Sequence, residues 1–222
     1  SFLDTDILFL SNSPKKYYCN RGSIVLEQKE ASLEFKDELP LNVKYLAIRE
    51  GIELKFCSFD SDSIGAVLYK DTFSAILVNS NKSPFEQRFD IAHELIHFWF
   101  HPSKTSFSFQ KPHLRDKEKE WQANEGAAQL LLPYLDFIPR FVKVARFVEE
   151  NHEPLEEVYS ELSKFYKVAP IVVDYRIRNL ESEILQYING VCIENVLLNH
   201  LSVRFDKTKQ PVIYKSLIQK AF

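Results

Sequence analysis

The segment from Ser83 to Pro102 leaves this chain few ways to fold. Ser83-Pro84-Phe85-Glu86 opens a helix, with a capping serine, a proline at the first helical position where no N–H is needed, and a glutamate three residues past the cap. Pro102 closes it. Two stripes run along this helix at helical spacing. Phe85, Phe89, Ala92, Ile96 and Trp99 form an apolar one, and Asp90, His93, Glu94, His97 and His101 a polar one. The circumference is otherwise nearly apolar, so the helix has to be largely buried. Burying two imidazoles and a carboxylate without partners costs several kcal/mol. A shared metal ion removes that cost. His93 and His97 are four residues apart, face the same way and can hold one ion, and Glu94 stands beside them, close enough to handle a proton on a water there. His93-Glu94-Leu95-Ile96-His97 is thus the HExxH pattern of zinc-dependent hydrolases, most often peptidases. The competing reading is a pair of core histidines bonded to backbone carbonyls.

A catalytic zinc takes three protein ligands and keeps a fourth position open. His101 is a poor third ligand, because on a straight helix it lies about 12 Å along the axis from His93. Phe98-Trp99-Phe100 offers no glycine to turn it back. The next helical segment, Lys117 to Leu132, stopped by Pro133, is a better source. Its Ala123, Ala127 and Ala128 allow close approach to the first helix. Glu120, followed at i+4 by Asn124, offers a carboxylate ligand and an amide able to orient a ligating histidine from behind. Glu125 remains the rival, since Asn124-Glu125-Gly126 also reads as a ligand segment, whereas Glu118 sits among exposed charges.

The rest of the chain reads as α+β: a small antiparallel or mixed sheet, then a mainly helical half with a C-terminal helical hairpin. A helix is expected over Asp37 to Gly51, and strands over Ile52 to Phe59, Gly65 to Lys70 and Phe73 to Asn79, the last two joined in a hairpin near Asp71-Thr72. Residues 134 to 180 carry the pattern of three more helices, and residues 181 to 222 are mixed. With 45% apolar residues and 18 Phe, the 222-residue chain can fill a sizeable core. A net charge of −3 without any basic block gives no footprint for wrapping nucleic acid. No stretch approaches the ~18 to 20 apolar residues that span a bilayer, and no secretory signal pattern opens the chain. Cys19, Cys57 and Cys192 show no CxxC spacing and read as reduced packing residues, so a cytoplasmic protein is expected.

Gln87-Arg88-Phe89-Asp90-Ile91-Ala92-His93-Glu94-Leu95-Ile96-His97, followed by Glu120-x-x-Ala123-Asn124-x-x-Ala127-Ala128-x-x-Leu131-Leu132-Pro133, resembles the ImmA/IrrE-type metallopeptidases, gluzincin-like enzymes of bacteria and their mobile elements. Two motifs in this order and at this distance are far more specific than HExxH alone. The resemblance implies one zinc ion held by His93, His97 and Glu120, with Glu94 as general base. It implies a zincin-like peptidase domain over residues 36–180, between an N-terminal extension (1–35) and a C-terminal tail (181–222). It also implies a protein substrate, a helix-turn-helix repressor of a mobile element or stress regulon, while charge and hydropathy lead us to expect no direct nucleic-acid or membrane partner. The chain departs from the pattern at Gly126, where phenylalanine is usual, at Leu132, where methionine is common, and at Gln122, which replaces a frequent second glutamate.

Two rivals stand beside this reading. Leu155 to Leu180, turning at Tyr166-Lys167-Val168-Ala169-Pro170, also reads as a DNA-binding helix-turn-helix whose second helix would start near Ile171 and carry Asp174, Tyr175, Arg176 and Arg178. Asp174 and the apolar face do not suit phosphate contact, and a packing hairpin is the preferred account. The other rival is a catalytically silent relative that binds the repressor, against which the retained Glu94 argues. Tyr134, His113, Tyr175 and Arg176 are candidate donors to an anionic intermediate, with no preference among them. His101 could contact a ligand from behind, and His152 and His200 receive no role.

Overall fold

The computed structural model describes residues 39–58, 66–70, 73–101 and 117–198. The architecture is α+β. Strands β1 (Ile52–Cys57), β2 (Ala66–Lys70) and β3 (Phe73–Asn79) form one mixed sheet in the order β1-β3-β2. β1 runs parallel to β3, from Ile52 opposite Ser74 to Cys57 opposite Asn79. β2 runs antiparallel to it, with Lys70 opposite Phe73, so two residues make the hairpin connection expected there. Those two, Asp71 and Thr72, lie outside the described residues. In the central strand, Ala75 to Asn79 are buried without alternation, whereas the edge strand β1 is exposed from Lys55 to Cys57.

Helix α1 spans Val43–Arg49, shorter than the Asp37-to-Gly51 helix expected from sequence. Its start is set by Asn42, whose Oδ1 accepts from the Tyr45 N–H at 3.1 Å. Gly51, at φ +73°, then turns the chain left-handed into β1, a conformation that strains any residue with a Cβ. Cys57 and Cys192 are free thiols but are exposed, not packing residues, because one ends the edge strand and the other lies past the last α-helix.

Helix α2 (Pro84–Phe100) forms as its sequence dictates. The Ser83 hydroxyl accepts from the Glu86 N–H at 3.3 Å, and Glu86 Oε2 accepts from the Ser83 N–H at 2.9 Å, a reciprocal capping box. α2 lies on β3 and β2, with α1 against it and α3 (Lys117–Leu131) packed along its length. The alanines explain the close approach of these two helices: Ala123 and Ala127 are wholly buried and Ala128 nearly so. Ile91 and Leu95 of α2 join Leu46, Ile76 and Leu131 in the main core.

The three helices read into residues 134–180 are α4 (Tyr134–Glu150), α5 (Glu156–Tyr166) and α6 (Pro170–Asn179). Past them, where the sequence pattern is mixed, α7 (Glu181–Ile188) packs on α4 and α6 and buries Ile184 in the same core. α6 is fastened to α3 by polar contacts. Arg176 Nε donates to the Leu132 carbonyl at 2.9 Å, its Nη2 donates to Gln129 Oε1, and Asn179 Nδ2 donates to Glu125 Oε1. Among the described residues no helix is long and apolar enough to cross a membrane.

Candidate metal centre

Helix pitch brings His93 and His97 together, and the α2–α3 packing adds Glu120. The two Nε2 atoms lie 3.0 Å apart. Glu120 Oε2 is 3.5 Å from His93 Nε2, and its Oε1 is 3.4 Å from His97 Nε2. His93 is wholly buried, while the side chains of His97 and Glu120 keep 17% and 23% of their exposure. The cluster is therefore closed beneath and open on the His97–Glu120 side, as a site that admits a substrate must be.

Hydrogen bonds behind the rings decide what this cluster can hold. His93 Nδ1 is 2.9 Å from Asn124 Oδ1, an acceptor, so Nδ1 carries the hydrogen and the neutral ring's lone pair sits on Nε2. His97 Nδ1 is 2.9 Å from His101 Nδ1, and His101 Nε2 is 2.8 Å from Gln122 Oε1. With Gln122 accepting, the His101 hydrogen lies on Nε2, its Nδ1 accepts from His97 Nδ1–H, and the His97 lone pair also falls on Nε2. Two nitrogen lone pairs and a carboxylate then converge on one point, an arrangement that a positive charge satisfies, whether a metal ion or a proton held between the rings and the carboxylate. Metal–ligand bonds of ~2.0–2.1 Å in a tetrahedral zinc site put ligand atoms about 3.3 Å apart, close to the separations found. Two imidazoles, one carboxylate and an open fourth position are a donor set that zinc takes at catalytic centres.

The electrostatics point the same way. Burial by itself lowers the pKa of His93, but the Glu120 hydrogen bond and the charges of Glu94 and Glu120 outweigh it and the net direction is up. Burial by itself raises that of Glu120, yet its bonds to His93 and His97 hold the carboxyl well below the usual range. Both shifts describe a pocket that favours positive charge at the point where the side chains meet.

The structure sorts the other candidates. Glu94 is buried on α2, near enough to His93 for its charge to act on that ring. Asp90, one turn earlier, is buried and paired with Lys82 at 2.7 Å. Glu125, the rival ligand, points away to Asn179, and Glu118 is exposed. His101 is not at the centre but behind His97, and burial pushes its pKa down to about 4, so the ring is neutral near pH 7. Gln122, noticed in the sequence only as a departure, is its partner. The available signal was a polar residue on the buried side of a helix, two positions past a ligand candidate. Among the candidate donors, Tyr134 is sunk in the main core and Arg176 is bonded to Leu132 and Gln129. Tyr175 is half-buried on α6, and His113 lies outside the described residues.

The model of the family described as Peptidase_M78, IrrE N-terminal-like domain, matches residues 47–178, more than half of the chain. No curated protein matches it. Among solved structures, a Mycobacterium tuberculosis transcriptional regulator is similar, with a TM-score of 0.44 and 14% identity. That alignment covers 78% of this chain and 52% of the regulator, so the chain spans about half the regulator's length. The family match runs from α1 into α6 and takes in both helices that build the cluster, and the chain accordingly belongs to the metallopeptidase-like IrrE N-terminal-like domain family.

Proposed function

We propose that the protein is a zinc-dependent endopeptidase that cuts a helix-turn-helix transcriptional repressor of a mobile element or stress regulon. The observation that carries the reading is the meeting of His93 Nε2, His97 Nε2 and the Glu120 carboxylate beside a buried Glu94 on the same helix. Bound there, a zinc ion would supply Lewis acidity toward the scissile carbonyl and bring the pKa of a water down to ~7. His93, His97 and Glu120 would hold the ion. Asn124 fixes the His93 ring through Nδ1. The Glu94 carboxylate takes a proton from the attacking water and returns it to the leaving amine nitrogen. The repressor as substrate rests on the family resemblance carried by the two motifs, and the cytoplasm as the place of action on cysteines that show neither a disulfide frame nor CxxC spacing.

The DNA-binding alternative is disfavoured by α6 itself. Arg176 is 3% exposed and spends its donors inside the protein, and Arg178 is held by Asp174 at 2.8 Å. Neither is presented to a phosphate.

The test is to incubate the zinc-loaded full chain with the helix-turn-helix repressor encoded nearest to its gene and to follow the repressor by mass spectrometry. Two defined fragments are expected with wild type. Glu94→Gln should bind zinc as before and cut at least ~100-fold more slowly. An intact repressor with zinc-loaded wild type overturns the substrate, binding without cutting points to the silent regulator, and full activity in Glu94→Gln removes Glu94 from its role.

A further inference from the structure

A neutral imidazole has one N–H and can carry it on either nitrogen. Only the Nδ1–H form presents a lone pair at Nε2, so a ligand that binds through Nε2 needs something to hold its hydrogen on Nδ1. For His93 that partner is an amide oxygen, which can only accept. For His97 it is another imidazole, His101, and a ring nitrogen can donate or accept. The His97–His101 contact therefore leaves the direction of the hydrogen bond open.

Gln122 closes the question. Its Oε1 is 2.8 Å from His101 Nε2, and its Nε2 is 3.5 Å from Glu118 Oε1. A carboxylate only accepts, so the amide nitrogen faces Glu118 and the amide oxygen faces His101. The His101 hydrogen must then be on Nε2, its Nδ1 accepts, and His97 donates from Nδ1. Four side chains, Glu118 and Gln122 on α3 and His97 with the capping His101 at the end of α2, set one direction for the whole row. Gln122 is 5% exposed, so solvent is poorly placed to substitute for its oxygen. Reversing this amide would reverse every bond after it and leave a hydrogen on His97 Nε2, aimed into the metal position.

We infer that Gln122 and His101 are positioning residues that lock His97 in its Nδ1–H tautomer and so deliver its Nε2 lone pair to the metal. The inference rests on the zinc reading above, and its test separates the two. The full chain is compared as wild type, Gln122→Leu, Gln122→Glu and His101→Phe by zinc calorimetry and by nitrogen-15 spectra of the imidazole rings in the metal-free state. Gln122→Leu keeps size but has no acceptor, and about a 10- to 100-fold loss of zinc affinity is expected, with His97 no longer a single Nδ1–H form. His101→Phe keeps the ring shape without its nitrogens and should lose as much. It lies at the half-buried end of α2, so it carries the test should Gln122→Leu fail to fold. Gln122→Glu restores an acceptor of the same length and should recover wild-type affinity. A purely structural Gln122 would lower the melting temperature of Gln122→Leu while leaving zinc affinity and the His97 tautomer unchanged, which overturns the inference. Should wild type bind no zinc, the metal reading falls, and the spectra alone decide the lock. A His97 tautomer that changes in Gln122→Leu upholds the lock, and an unchanged one overturns it.

Discussion

Glu120 and Glu125 sit on the same helix, and what separates them chemically is the neighbour each one meets. Glu120 faces the histidines of α2, and Glu125 faces Asn179 of α6. Zinc calorimetry should therefore show one-to-one binding that is lost in His97→Ala and Glu120→Ala and kept in Glu125→Ala. The Glu125 variant should instead lose about 1–3 kcal/mol of stability, since the part-buried bond from Asn179 Nδ2 to Glu125 Oε1 is removed. Zinc binding that survives Glu120→Ala would remove that residue from the ligand set. His93, Glu94 and His97 were legible as a group because the pitch of one helix fixes their spacing. Glu120 is preferred over Glu125 only through the Asn124 that follows it and the family resemblance, because the register between two helices is written in neither helix's periodicity. Gln122 was hidden for the same reason, its partner being 21 residues away on another element. A second residue-scale test concerns Tyr166, whose hydroxyl donates to Asp136 Oδ2 while Arg140 grips that carboxylate at 2.9 and 3.0 Å. Burial, and then the charge of Asp136, push its ionisation far above the ordinary 10.0. A raised pKa means that its contribution is complete below the unfolded value and is lost only as pH rises through the folded one. Ultraviolet titration up to about pH 11, with the fold intact, should count the same ionising tyrosines in wild type and Tyr166→Phe. One fewer in the variant would show that Tyr166 ionises normally.

At the scale of elements, the pairing of α2 with α3 is what the centre depends on. Ala127 is wholly buried in the core these helices share. Ala127→Leu should cost about 1–3 kcal/mol by overpacking, and by parting the helices it should weaken zinc binding as well. Val148→Ala, which opens a cavity in α4, should cost a similar amount and leave zinc affinity unchanged. Equal zinc affinities in the two variants would mean that helix separation does not set the site. Legibility also followed locality here. α2 was readable to within a residue because its cap and stop lie in its own sequence. α1 is shorter than its sequence pattern, which continues upstream of Asn42, where a side-chain cap begins the helix. α7 does not show in the sequence pattern, because eight residues carry little periodicity and its burial is decided by the surface of α4 and α6.

On the scale of the molecule, one core runs from Leu41 to Ile184, through the sheet and every α-helix of the described residues. Ending the chain at Leu180 would strip Ile184 and the partly buried Leu185 and Ile188 from that core. At about 1.5–3 kcal/mol for each fully buried side chain, the loss should be at least ~3 kcal/mol by chemical denaturation. A truncated protein as stable as the full chain would show that α7 only rests on the surface. The mixed sheet with a helical half was foreseeable from the order of patterns, but how far the core extends was not, because continuity arises only when elements pack.

The placement of the centre across two helices has a consequence for the protein's lifetime. An ion gripped by His97 and Glu120 would act as a removable cross-link, adding to the packing and the hydrogen bonds that already hold the two helices together. A ligand that binds the folded form alone stabilises it by about 2.7 kcal/mol at a hundredfold excess over Kd. On the proposed zinc-peptidase reading, the zinc supply would then govern how many molecules survive proteolysis as well as how many can cut, so that abundance and activity would rise and fall together.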